Sequence, residues 1–251
     1  MKITVGVITL NEESNLGRCL ESVSGIADEI LVVDSGSTDR TQAIAEKHGA
    51  RWHMIPWEGY VQQKNHVLRL ASHPWVLSLD ADEALSAELR QEILEIKTAG
   101  SISQETSGFS MPRCVWYEDR WIRHGDWYPD RLTRLFRREH AEFVGGRVHE
   151  RLSLEGNVHR LRHDLLHYSF VSAEDHLARC QRYARLWAED RRDQCRRCGP
   201  FAPELHAAFR WFRAYLLRGG FLDGRVGLKI ANLSAYEVFL KYSLLRKLNR
   251  S

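Results

Sequence analysis

The 251-residue chain is 43% hydrophobic and 27% charged, and its eight Trp, eight Tyr and nine Phe exclude a disordered polymer and supply one sizeable core. No run of eighteen apolar residues is present to cross a bilayer, the N-terminus lacks a signal-peptide apolar stretch, and an odd five Cys argue against a disulfide scaffold, so a cytosolic protein is expected. The net charge of +3 hides an asymmetry: residues 177–251 hold sixteen Lys and Arg against six Asp and Glu, a balance of +10, while residues 1–176 hold twenty against twenty-seven, a balance of −7. A basic tail on an acidic body points to nucleic acid, an anionic membrane surface or a phosphorylated ligand.

In chain order, residues 2–10 are an apolar run ending in Asn11-Glu12-Glu13. Ser14 is a candidate cap for a helix carrying Leu16, Cys19, Leu20 and Val23 on one face. A buried-type strand over 29–33 closes on Asp34-Ser35-Gly36-Ser37, and 38–48 reads as a helix capped by Thr38 or Asp39 and stopped by Gly49. Strand 51–55, helix 60–71, strand 75–79 and amphipathic helix 86–99 follow. This β-α repetition predicts a parallel sheet with helices on both faces, and its ligands belong just beyond the strand ends. After the polar stretch 101–107 the spacing predicts shorter strands over 109–117, 132–136, 147–152 and 165–170, then helices over roughly 172–194, 203–218 and 226–248. The expected organisation is a nucleotide-binding half over 1–100, an acceptor half of the same domain over 101–171, and a basic helical tail over 172–251.

Two strand-end signals carry chemistry. Asp80-Ala81-Asp82-Glu83 follows the apolar run Trp75-Val76-Leu77, and two carboxylates at i and i+2 on a turn suit a hard divalent cation that also takes substrate phosphates. The bland alternative is an acidic turn capping the next helix. Val33-Asp34-Ser35-Gly36-Ser37 ends the second strand, where an Asp can bind a ribose or base edge, or simply close a turn. Neither G-x-G-x-x-G nor a P-loop is present, which counts against dinucleotide oxidoreductases and P-loop ATPases.

With Thr9-Leu10-Asn11-Glu12-Glu13 after the first strand, these signals resemble the inverting family 2 glycosyltransferases of GT-A fold over about the first 90 residues. The resemblance implies an α/β fold (GT-A, Rossmann-like, a mostly parallel sheet with helices on both faces) plus a C-terminal helical extension. It further implies that Thr9, Asn11, Glu13 and Asp34 hold the nucleotide, with Asp80 and Ala81 on the nucleotide sugar and Asp82 on the metal-diphosphate. Gln62-Gln63-Lys64-Asn65, Arg134-Leu135-Phe136-Arg137, Val148-His149-Glu150 and Arg218-Gly219-Gly220-Phe221-Leu222-Asp223-Gly224 narrow the likeness to the lipopolysaccharide inner-core β-1,4-glucosyltransferases. That subgroup implies UDP-glucose as donor, a heptose of a lipid-linked saccharide as acceptor, and Mg²⁺ or Mn²⁺ as cofactor.

Inversion requires a carboxylate to take the proton of the attacking hydroxyl. The resemblance to glycosyltransferases of this fold implies Glu150, at the end of the segment 143–150, as that base, against a plain salt bridge with Arg147 or Arg151. His149 is a candidate further metal ligand. Lys64 is a candidate phosphate or acceptor contact, or a solvated helix residue. Trp127, Tyr128 and Arg131 are expected on the acceptor; Arg131, Arg134, Arg137 and Arg138 are candidates to face a phosphorylated heptose, with exposed strand-edge charges as the alternative for Arg134 and Arg138. Cys195-x-x-Cys198 with His176 and Cys180 has the spacing of a zinc site, although nothing in the resemblance calls for zinc. His159, His163 and His167 read as one face of a strand, with His167 the best candidate ligand.

In the tail, Leu205, Phe209, Phe212 and Leu216 form an apolar row with Arg210 and Arg213 opposite. Such a helix suits an anionic bilayer surface, or else the row packs inward and the arginines are solvated. The expected location is therefore the inner face of a bacterial cytoplasmic membrane, as a peripheral protein. Two other classes compete: a nucleic-acid-binding α/β protein with a basic tail, and a metal-dependent nucleotidyltransferase. The first is opposed by acidic strand ends, which repel phosphate, and the second by a first loop with neither Gly nor Lys, so no nucleic-acid partner is expected.

Overall fold

In a computed structural model, described for all residues except 101, 146–149, 171–172, 195–196 and 250–251, the chain divides into two units. The first comprises Met1–Arg113 and Asp130–Tyr168, the second Cys114–Pro129 and Ser169–Ser251.

Seven successive buried residues make Ile3–Thr9 (β1) an inner strand, since a strand covered on both faces needs a buried side chain at every position. The chain continues through Leu16–Ser22 (α1), Glu29–Asp34 (β2), Thr41–Lys47 (α2), Arg51–Met54 (β3), Tyr60–Leu70 (α3), Trp75–Asp80 (β4), Glu83–Leu85 (β5) and Ala87–Thr98 (α4). Strands β3, β2, β1 and β4 are parallel neighbours, in the register Thr9 to Asp34 and Ile8 to Asp80. Ile3, Val5 and Val7 meet Leu16, Leu20, Leu89 and Ile93, while Ile8, Leu31, Val33 and Val76 meet Val67 and Leu68 of α3. A Cβ on Gly6 would lie 2.1 Å from Val67, so this glycine lets α3 sit close against β1.

Thr106–Tyr117 (β6), Arg120–Ile122 (β7), Asp130–Arg137 (β8), Ala141–Gly145 (β9), Glu150–Leu154 (β10), Asn157–Arg160 (β11) and Leu165–His167 (β12) follow. β8 runs antiparallel to β4, and the order continues β8-β6-β12-β5; β9 and β10 form a separate hairpin. The fold class is the expected one, α/β with a mostly parallel Rossmann-like core and a C-terminal helical extension.

Local boundaries differ where side chains compete for the backbone. Asn15, not Ser14, precedes α1, and neither supplies a side-chain cap. The second helix starts at Thr41, because Asp39 accepts from the Thr41 amide at 3.0 Å and holds 38–40 out of it. Ser86, expected as the first residue of its helix, stands before α4 and caps it, accepting from the Leu89 amide. β5, β7, β9 and β11 are too short or too polar to show a period. The expected histidine face does not exist, because His159 lies in β11, His167 in β12, and His163 in the loop between them bonded to Glu92.

In the second unit, Ala173–Asp193 (α5) and Ala202–Phe212 (α6) both pack on Gly224–Leu248 (α7). The helix expected over 203–218 breaks into a wide π-turn over Arg213–Leu217. Gly220 and Gly227 permit the tightest approach: a Cβ on Gly227 would fall 1.9 Å from the Gly220 carbonyl oxygen. Asp223 accepts from the His124 amide and pairs with its ring, which ties the glycine-rich segment to the loop before Gly125–Trp127.

Candidate active site

The ends of β1 and β2 are joined by side chains of the loops that follow them. Asn11 adopts φ 54° and accepts from the Thr38 amide at 2.9 Å, while its own amide donates to Ser37 Oγ. The Glu13 carboxylate accepts from the Arg40 amide and Nε. Asp34 is buried and accepts from the Gly36 and Ser37 amides at 2.8 and 2.7 Å and from Ser37 Oγ, so its carboxylate organises its own turn. Thr9 is buried beside it in register, and its Oγ1 has no hydrogen-bond partner among the described residues. Thr9, Asn11, Glu13 and Asp34 thus lie together at one pair of strand ends.

Three successive residues of α3 tie that region to the rest of the unit. Gln63 Nε2 donates to Ser35 Oγ and to the Ile55 and Pro56 carbonyls. Lys64 is 1% exposed and stands 3.0 Å from both Asp80 and Glu150. Asn65 donates to the Phe143 carbonyl and accepts from the Phe143 amide, each at 2.9 Å, which secures the β9-β10 hairpin carrying Glu150. Lys64 is therefore neither solvated nor free, and Glu150 is paired with it rather than with Arg151; Arg147 lies outside the described residues.

Asp80 ends β4 with two cationic neighbours, Lys64 and Arg134, the latter at 2.7 Å. Burial opposes its ionisation, yet Arg134 and Lys64 outweigh that and hold the carboxyl well below the usual range. Arg134 also reaches the wholly buried Glu83 at 2.6 Å, and Glu83 lies 3.5 Å from Arg113, itself 2.6 Å from Asp130. Burial works against the Arg134 charge, but Glu83 and Asp80 raise its pKa above the ordinary arginine value. Arg134 is accordingly a buried internal partner and not an exposed strand-edge charge. Arg137 and Arg138 donate to the Thr106 and Ala71 carbonyls.

Ala81 is buried in the two-residue turn between β4 and β5, and Asp82 beside it differs in kind from Asp80. Among the described residues Asp82 pairs with no Lys or Arg, and its one ion-pair neighbour is His167 Nε2 at 3.2 Å. β12 delivers that imidazole by pairing antiparallel with β5, His167 opposite Glu83, while the Tyr168 amide donates to the Asp82 carbonyl. The buried Nδ1 of His167 has no hydrogen-bond partner among the described residues. A carboxylate and an imidazole without a competing cation fit a divalent ion that completes its shell from diphosphate oxygens. Asp80 is already matched by two cations, so the two carboxylates of the expected turn differ in their ionic surroundings. No group of three or more metal-binding side chains occurs among the described residues, and His149 lies outside them.

The expected acceptor residues fall in both units. Arg131, in the first, is exposed and donates to the Leu161 carbonyl at 3.1 Å. Trp127, in the second, stacks on Phe170 with centroids 5.1 Å apart and packs edge-on against Tyr117; Tyr128 beside it is half-buried. His176 Nδ1 lies 3.0 Å from the Tyr117 hydroxyl, Cys180 is buried, Cys198 is half-buried, and Cys195 lies outside the described residues. Arg113 and the role of Glu83 went unread, because nothing local marks a partner that the fold brings to them.

The profile described as Glycosyl transferase family 2 matches residues 4–146. An uncharacterized glycosyltransferase of Rickettsia conorii is 32% identical over 98% of this chain and 90% of its own length. The lipopolysaccharide core biosynthesis glycosyltransferase LpsC of Rhizobium meliloti is 31% identical over 97% of this chain and 94% of its own. A mycobacterial protein of known crystal structure is similar over 74% of each chain, with a TM-score of 0.50 at 18% identity, a likeness of fold alone.

Proposed function

The chain belongs to glycosyl transferase family 2, and on that premise we propose that it moves glucose from UDP-glucose onto an inner-core heptose of a lipid-linked lipopolysaccharide precursor, with inversion. The observation that carries the reading is the charge arrangement at the end of β4, where Lys64 and Arg134 match Asp80, Arg134 and Arg113 match Glu83, and Asp82 is left with His167 alone. The likeness to a lipopolysaccharide core enzyme over nearly the whole chain supports a saccharide acceptor of that kind.

Asp82 and His167 would hold Mg²⁺ or Mn²⁺, whose chemistry is to neutralise charge on a departing diphosphate. Thr9, Asn11, Glu13 and Asp34, with the backbone at Ala81, would take the nucleotide. Glu150 takes the acceptor hydroxyl proton as the oxygen attacks, and Lys64 holds that carboxylate in place. Arg131 remains a proposed acceptor contact of the first unit, and Trp127 and Tyr128 remain candidate sugar-stacking residues of the second. The basic tail supports a location at the inner face of the cytoplasmic membrane, and the acidic strand ends argue against a nucleic-acid partner.

A donor screen tests this. Thermal unfolding and nucleotide-sugar hydrolysis are followed with UDP-glucose, UDP-galactose and GDP-mannose, with and without Mn²⁺. The expected result is a metal-dependent shift and hydrolysis specific to UDP-glucose, both lost in Asp82→Ala. Equal behaviour with and without metal, or an unchanged Asp82→Ala, overturns it.

A further inference from the structure

The amphipathic helix of the tail is oriented opposite to a basic-face-out reading. Asp126, its side chain 3% exposed, gathers Arg210 at 2.9 Å, Arg213 at 2.9 Å and Arg218 at 3.3 Å. One buried carboxylate thus draws the basic face inward. The apolar face is left outside: Leu205, Phe209 and Phe212 on α6 and Leu217 in the π-turn are 68, 60, 45 and 65% exposed. Phe221 and Leu222 of the following turn are 48 and 61% exposed. Single exposed apolar residues need no explanation, but a row of Leu and Phe continuing from a helix into its neighbouring turn does.

We propose that this face, α6 with the turn at Phe221-Leu222, lies in the headgroup–acyl boundary of a lipid bilayer, its Leu and Phe inserted and the axis of α6 parallel to the surface. Four observations select lipid. The second unit holds eighteen Lys and Arg against eleven Asp and Glu, a balance of +7, so two copies meeting face to face would repel while an anionic leaflet attracts. Arg225, three residues beyond Leu222, is exposed and pairs with no carboxylate among the described residues, which suits a lipid phosphate. Trp211 and Tyr215, in contact at 5.0 Å, flank the row as half-buried aromatics with polar tips, the residue types that settle at headgroup depth. Among the described residues no helix is long and apolar enough to cross a membrane, and α6, with an exposed apolar face opposite its arginines, has the character of a helix that lies in the interface. The inference rests on the lipid-linked acceptor of the proposed function only for its purpose; the surface is defined by the second unit itself. It also changes the expected energetics, since apolar insertion is insensitive to salt and contact through arginines is not.

Co-sedimentation of the full chain with vesicles tests it, using phosphatidylethanolamine/phosphatidylglycerol at 3:1 and pure phosphatidylcholine, at low salt and in 1 M NaCl. The expected result is binding to both, stronger to the anionic vesicles, with most of it retained in 1 M NaCl. F209S/F212S, changed at exposed positions, should fold with an unaltered Tm and bind at least tenfold more weakly, whereas R225Q should lose two- to threefold, on anionic vesicles only. The proposal is overturned if the wild type stays in the supernatant, if F209S/F212S binds like it, or if 1 M NaCl abolishes binding. It is equally overturned if sedimentation velocity shows a dimer that F209S/F212S dissolves while neither form binds vesicles. Metal-dependent UDP-glucose hydrolysis, measured on the same samples without lipid, separates the two readings: intact hydrolysis with failed binding rejects only the membrane face, and the reverse rejects only the transferase.

Discussion

The ammonium of Lys64 lies 3.0 Å from a carboxylate oxygen of Glu150, a residue 86 positions further along the chain. That contact joins α3 to the hairpin carrying the proposed base, and the same ammonium neutralises Asp80. Replacing Lys64 by Met leaves two carboxylates facing each other in a poorly solvated space. Breaking a buried pair from one side typically costs about 3–5 kcal/mol, and Arg134 remains beside Asp80, so a loss near 3 kcal/mol is expected by urea unfolding. Hexose transfer should fall even under conditions where the variant is fully folded.

Glu150→Gln keeps the shape of the side chain and its capacity to bond, and removes the proton acceptor. Transfer is expected to fall about 10²–10⁴-fold, the usual contribution of a positioned general base. Affinity for UDP, measured by calorimetry, should stay within about twofold of the wild type, because Glu150 lies on the acceptor side of the proposed reaction. Retained turnover would move the base to another carboxylate.

The glycines of the tail differ sharply in what surrounds them. A Cβ at Gly227 would overlap the Gly220 carbonyl oxygen at 1.9 Å, whereas one at Gly199 meets nothing within 4 Å. Gly227→Ala should therefore destabilise the protein by about 1–3 kcal/mol, as overpacking does, and Gly199→Ala should leave it nearly unchanged. Thermal denaturation of the pair compares the two; equal Tm values would show that α7 yields at this point without cost.

Burial lowers the pKa of His176, which packs against Tyr117, Trp127 and Phe170. The unfolded chain takes up a proton near its ordinary value of about 6.5, while the folded chain resists until lower pH. Protons therefore favour the unfolded state, and stability should decline as pH falls through about 6.5, levelling off below the folded pKa. Aromatic fluorescence during urea unfolding between pH 7.5 and 5.5 measures that decline, and His176→Gln should flatten it. An unchanged slope in the variant would assign the pH dependence elsewhere.

Much of the architecture was readable locally. The apolar runs at 2–10, 29–33 and 75–79, with helical periods between them, describe a parallel sheet because each strand must be buried on both faces. The strand-end residues Asp34, Asp80 and Asp82 stood out for the same reason, since polar groups directly after buried strands fall on the edge where ligands bind. Glu150 was legible only through resemblance. The strand expected over 165–170 is present as β12, Leu165–His167, but β5 carries three residues, too few to show a period, and with it went the β12–β5 pairing that brings His167 to Asp82.

What the sequence determined by itself was therefore the class of the fold, the order of its parallel strands' chemistry and the separation of an acidic body from a basic tail. Which charges stand alone was decided only in three dimensions. Asp80 and Asp82 are two positions apart, yet contacts from Lys64 and Arg134 neutralise one and not the other. Arg210 and Arg213 read as a solvent or lipid face, and a single buried Asp126 from another segment turned them inward and left the phenylalanines outside. Local pattern records how a residue relates to its neighbours along the chain, whereas the cost of a buried charge depends on partners brought from far away, and that is set by packing.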